Sequence, residues 1–195
     1  MTRPFIALLM LLAWHPVAHA QSWVKLCEKT TTTVSGYEDR ILCLTYHEHR
    51  DDTGKLVYSA ALREIEAYEE RTLRTFMILV PLGALLEPGL RATIFPKDLW
   101  EKVQNFETPD AGNLKDLTLK YAICRADGCV AEVEATPELI ADLQDGGGLM
   151  VRPAAIGTYA IPLKGFDAAL AGPRRELPQQ RRRCDQSYWP GCKDR

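Results

Sequence analysis

Six cysteines, every one of them downstream of an apolar leader, constrain this chain more than any other feature of its sequence. Arg3 gives the leader a positive start, and Phe5 to Trp14 is an uncharged apolar stretch of about ten residues. Ala18-His19-Ala20 then supplies the small-x-small pattern that fits the pocket of signal peptidase. The stretch falls well short of the ~20 residues that span a bilayer, so the expected product is an exported chain cut after Ala20 and beginning at Gln21. The next long apolar run, Phe76 to Leu86, is interrupted by Pro81 and Gly83, and no transmembrane segment is expected after cleavage.

Export sets the chemistry of the thiols. An even number of cysteines in an oxidising compartment reads as disulfides, and sequence alone leaves their connectivity open. Neighbourhood favours Cys27 with Cys43, Cys124 with Cys129, and Cys184 with Cys192. Asp127-Gly128 between the middle pair is a tight-turn signal, and a hairpin there sets Cys124 opposite Cys129 at the short separation a disulfide needs. A redox motif or a zinc site is the rival reading. It lacks Cys-x-x-Cys and any common zinc spacing.

Strand signals dominate the first two thirds. Ile41–Glu48, Leu56–Ile65, Thr72–Val80 and Leu90–Phe95 are rich in β-branched, aromatic or alternating apolar residues. Asp51-Asp52-Thr53-Gly54 and Glu87-Pro88-Gly89 punctuate them. Leu117–Cys124 and Cys129–Ala135 form the arms of the cysteine hairpin, and large apolar residues at the odd positions of the first arm predict one buried face. Thr136, Pro137 and Glu138 open a helix as cap, first residue and first-turn carboxylate; Gly146-Gly147-Gly148 stops it. A strand region over Leu149–Pro162, broken near Gly157, and a short helix from Phe166 to Leu170 follow. Many short strands and few helices predict a sandwich or barrel instead of a βαβ fold.

With 195 residues, 46% of them hydrophobic, there is enough chain for one ordinary core. A formal charge of -2 argues against a dedicated nucleic-acid binder. That charge is unevenly spread. Seven Lys and Arg against three Asp and Glu leave residues 172–195 at +4, and residues 21–171 stand at -7. The segments are thus a leader (1–20), an acidic domain (21–171) and a basic, cysteine-containing tail (172–195). In the tail, Arg181, Arg182 and Arg183 adjoin the Cys184–Cys192 loop with its Trp189. They are candidate contacts for an anionic surface, against the plainer reading of a solvated tail.

Several segments, taken in order, resemble the invasion-associated locus B family of exported bacterial proteins. They are Trp23-Val24-Lys25-Leu26-Cys27 with Cys43 on the next strand, and Val80-Pro81-Leu82-Gly83-Ala84-Leu85-Leu86-Glu87-Pro88-Gly89. Tyr121-Ala122-Ile123-Cys124 with Gly128-Cys129-Val130-Ala131 resembles the family's cysteine hairpin, and Ile161 to Leu170 its C-terminal signature. The resemblance implies an immunoglobulin-like antiparallel β-sandwich with one or two short helices, located in the periplasm or at the outer surface. It supplies no catalytic residues, and it does not cover the Arg-rich tail.

Reactive constellations are sparse. Without the leader only His47 and His49 remain, no Gly-x-Ser-x-Gly elbow exists, and no glycine loop opens a helix to cradle phosphate. On a strand His47 and His49 face the same side, within reach of one metal, with Asp51 or Asp52 as a carboxylate. The favoured reading is two exposed histidines leading into a polar turn. The expectation is therefore a non-catalytic envelope protein without cofactor or metal. It acts on an unidentified protein or glycan of the envelope or of a host. A small periplasmic hydrolase or metal-binding protein is the competing class, to be revealed by a carboxylate pair lining a cleft or by bound metal.

Overall fold

In a computed structural model, residues 22–32, 38–66, 72–105, 114–173 and 175–176 are described. The leader with its cleavage site, Arg181–Arg183, Cys184, Trp189 and Cys192 lie outside these residues. Ten strands form: β1 Val24–Thr32, β2 Glu38–Arg50, β3 Leu56–Glu66, β4 Thr72–Val80, β5 Leu90–Pro96, β6 Lys115–Arg125, β7 Gly128–Glu134, β8 Gly146–Arg152, β9 Tyr159–Pro162 and β10 Arg175–Glu176. Three helices accompany them: α1 Lys97–Gln104, α2 Pro137–Asp145 and α3 Phe166–Ala171.

The strands make one continuous sheet in the order β10-β1-β2-β3-β4-β7-β6-β5-β8-β9, in which only the β1–β10 pair is parallel. This corrects the expected two-sheet, immunoglobulin-like sandwich. The reason lies in β6, which belongs to both halves. Its residues Lys115–Leu119 pair with β5, and Lys120–Arg125 pair with β7 on either side of a bulge between Tyr121 and Ile123. A bulge bends and twists a strand, so the sheet turns its corner along β6 and curls into a half-barrel instead of splitting in two.

Two side chains hold the curl. The Trp23 indole Nε1 donates to Pro162 O and the Tyr58 hydroxyl donates to Ala160 O, each at 2.8 Å, which ties β3 and the start of β1 to β9. The inner face carries fully buried Leu62, Phe76, Ile78, Leu90, Leu119 and Leu149, strand residues against which Phe166 of α3 packs. Strand alternation sorts these residues from their outward neighbours.

The two disulfides in the described residues, Cys27–Cys43 and Cys124–Cys129, each join directly opposed positions of an antiparallel pair. Thr136 caps α2 by accepting from the Leu139 amide at 3.2 Å, with Pro137 in the first turn. The glycine triplet ends that helix and also opens β8, three residues earlier than the sequence reading placed a strand. Helix α1 is an addition to the expected one or two helices. Its buried Trp100 lies flat against the triplet, where a Cβ on Gly148 would fall 2.2 Å from the indole.

Candidate binding surface

The segment joining β4 to β5 places apolar side chains in water. Leu82, Leu85 and Leu86 are 54%, 59% and 52% exposed. Its backbone is nevertheless held. The Leu85 amide donates to Ala154 O at 3.0 Å in an isolated bridge to the segment between β8 and β9, and the Gly89 amide donates to Leu86 O at 2.9 Å. Gly89 has φ +98°, and a Cβ there would lie 2.8 Å from Leu119 O, so only glycine lets the loop close against β6. The Glu87–Pro88 peptide is cis. The two backbone bonds hold Leu85 and Leu86 in place, and each of the three exposed leucines forgoes on the order of 1 kcal/mol of burial that a partner surface would recover. Beside Leu82 a shallow depression of about 290 Å³ is lined by Asp51, Lys55, Leu56, Val57 and Asp127. Charges of both signs border it.

The histidine pair does not stand as the sequence suggested. His47 and His49 do share the inner face, but His47 is only 1% exposed, which corrects the reading of two exposed residues. Its ring lies 5.5 Å from that of Trp23 and 6.3 Å from that of Tyr58, while His49 stacks on Tyr58 at 5.0 Å. Position 47 opposes Ala60, whose small side chain leaves room for an imidazole over the core. The Asp51 carboxylate is engaged elsewhere. Asp51 Oδ1 accepts from the Thr53 hydroxyl and from the amides of Thr53 and Lys55, and it builds the β2–β3 turn. Those bonds, the Thr53 hydroxyl first, hold its carboxyl below the ordinary value. Among the described residues no cluster of three His, Cys, Asp or Glu is placed to hold a metal.

Carboxylates do line a cleft, a groove of about 680 Å³ where β6 leaves β7. Glu132 and Glu134 both border it, but Glu134 is exposed and Glu132 pairs with Arg63 at 3.7 Å. A general acid needs a carboxyl shielded from water, and neither has that environment. Two further polar clusters are structural. Lys25 on the inner rim reaches Glu64 at 3.4 Å and donates to Leu170 O at 2.8 Å, which ties α3 to β1. Thr93 donates to Asp116 and accepts from Arg152 across β5, β6 and β8.

By fold the described residues form a disulfide-bonded, mainly β domain with apolar side chains standing in water on the β4–β5 segment. The model of one family, Invasion associated locus B (IalB) protein, matches residues 23–174, and the chain belongs to that family. A crystal structure of invasion associated protein B from Bartonella henselae is similar at 16% identity with a TM-score of 0.44, covering 67% of this chain and 88% of that one. A likeness of that degree adds nothing to the assignment. None of the curated protein sequences matches the chain significantly. In the sequence Leu82, Leu85 and Leu86 stand at i, i+3 and i+4, a helix-like spacing that suggests burial, so nothing local marks them as exposed.

Proposed function

We propose that the protein is an exported, non-catalytic binding protein of the cell envelope, and that the leucine loop is its contact with a protein partner. The observation that carries this reading is the exposure of Leu82, Leu85 and Leu86 on a segment whose backbone is bonded at Leu85, Leu86 and Gly89. A protein is favoured over a glycan because sugars are held by hydrogen bonds and stacked aromatic rings. From Pro81 to Leu86 the loop offers neither a polar nor an aromatic side chain. Residues 21–171 act as the binding domain, 1–20 as a removable leader and 172–195 as a basic tail.

The test is saturable binding of the purified chain to envelope fractions of the producing bacterium. Wild-type binding is expected to disappear when Leu82, Leu85 and Leu86 are all changed to Ser, and when the envelopes are first digested with protease. Binding that survives proteolysis but falls after periodate treatment would replace the protein partner with a glycan.

The tail supports a second reading. Arg181–Arg183 and Trp189 fit an anionic lipid or lipopolysaccharide surface, on the strength of the +4 charge of residues 172–195. Because Arg175–Glu176 pairs with β1, truncation belongs after Glu176. Equal binding of both forms to anionic vesicles would remove this reading. Protease shaving of intact cells distinguishes a surface position, and with it host contact, from a periplasmic one.

A further inference from the structure

We infer that the outer face of the six strands β1–β4, β7 and β6 is the contact surface of a homodimer. Antiparallel sheets with one face in water normally alternate apolar and polar residues, and the solvent side is polar. Here the alternation brings Leu26, Leu44, Tyr46, Ala61, Met77 and Leu79 outward, opposite the buried inner set. Leu26 opposes Leu44, Tyr46 opposes Ala61 and Ala61 opposes Met77, so the apolar path crosses four strands without a break. It ends in two strongly exposed residues, Leu73 at 58% and Ile123 at 46%. The described helices pack elsewhere, on the inner side of β1 and β2 and against β5 and β8.

Extent and charge favour a second copy as occupant. Six strands at ~4.8 Å spacing and four outward rows at ~6.8 Å cover about 24 by 20 Å between backbone positions. With roughly 3 Å of side-chain reach at each border this approaches the ~800 Å² that each partner contributes to a standard interface. The charges on the face are of both signs and adjacent. Arg63 pairs with Glu132, Lys120 opposes Glu132 in register, and Glu134 opposes Thr75 one row away. A two-fold axis permits each basic group of one copy to meet an acidic group of the other, as an isologous contact requires.

The experiment is sedimentation equilibrium of the processed chain purified from an expressing bacterium's periplasm, from 1 to 200 μM. The wild type is expected at twice the chain mass, with dissociation promoted at least tenfold by Leu44→Lys with Met77→Lys. Circular dichroism and the melting temperature of that variant show whether it is folded. Should it fail to fold, Arg63→Glu supplies the same test and Glu132→Arg in the same chain is expected to restore the dimer. Leu82, Leu85 and Leu86 changed to Ser leave the dimer intact, which separates this surface from the loop. A wild type that stays monomeric at 200 μM overturns the inference, whether or not it floats with vesicles. So does a dimer that persists in the folded Leu44→Lys, Met77→Lys variant.

Discussion

Gly148 tests how tightly the half of the sheet built on β8 is fitted. A Cβ at this position would meet Trp100 Cε2, Cδ2 and Cζ2 at 2.2, 2.3 and 2.4 Å, where ordinary contact begins near 3.4 Å. The indole must therefore withdraw by more than about 1 Å, and it is buried between α1 and β8 with Phe95 beside it. Overpacking of this kind costs typically 1–3 kcal/mol, and a ring with nowhere to move sits at the upper end. Gly148→Ala is expected to cost about 3 kcal/mol, a loss of roughly 6–12 °C in melting temperature for a chain of this length. The assay is guanidinium unfolding of the oxidised protein followed by far-ultraviolet circular dichroism, comparing midpoints at constant slope. Trp100→Leu in the same chain removes the obstructing ring, so the double variant should cost less than the sum of the two single ones by about 1–2 kcal/mol. A Gly148→Ala change within about 0.5 kcal/mol of wild type, or strict additivity, would refute the packing of Trp100 on the triplet.

Chain-entropy arithmetic separates the two disulfides. Loops of 16 and 5 residues correspond to about 3 and 2 kcal/mol, so changing Cys27 and Cys43 to Ser should lower stability by roughly 1 kcal/mol more than changing Cys124 and Cys129. Equal losses would contradict that ordering. Tyr58→Phe removes the hydroxyl that reaches Ala160 O and should cost about 1 kcal/mol, with amide exchange quickening in β9; unchanged exchange would show that this bond does not hold the curl. Asp51 has its pKa lowered below 3.8 in the fold, so its contribution is full above that value and is lost as pH falls through the folded pKa. The melting-temperature gap between wild type and Asp51→Ala should therefore close on acidification below about pH 3.8, and a gap that stays constant would contradict the turn's dependence on the charged form.

Local features were legible where local chemistry decides them. Thr136-Pro137-Glu138 marked the start of α2, and Asp127-Gly128 with the flanking cysteines marked the hairpin. Period-two alternation located β3, β4 and β6. What escaped was set by contacts distant in sequence. The glycine triplet opens β8 because Trp100, from a helix with no strong cap, needs flat backbone to lie on. The curl of the sheet depends on β6 exchanging partners midway, which no pattern within Lys115–Arg125 announces. The burial of His47 is not legible because a polar residue on an alternating strand reads as outward unless its opposite, Ala60, is known. The exposed leucines posed the opposite difficulty. Their composition suggests burial, and only the fold of the β4–β5 segment shows that they are exposed.

The central claim, that the leucine loop meets a protein partner, is tested most directly by photo-cross-linking in living cells. A photoreactive residue at position 85 should give a discrete protease-sensitive adduct. That adduct should vanish when Leu82 and Leu86 are changed to Ser, and it should be absent when the probe is moved to exposed Glu101 on α1. No adduct at position 85, or the same adduct from position 101, would contradict the account.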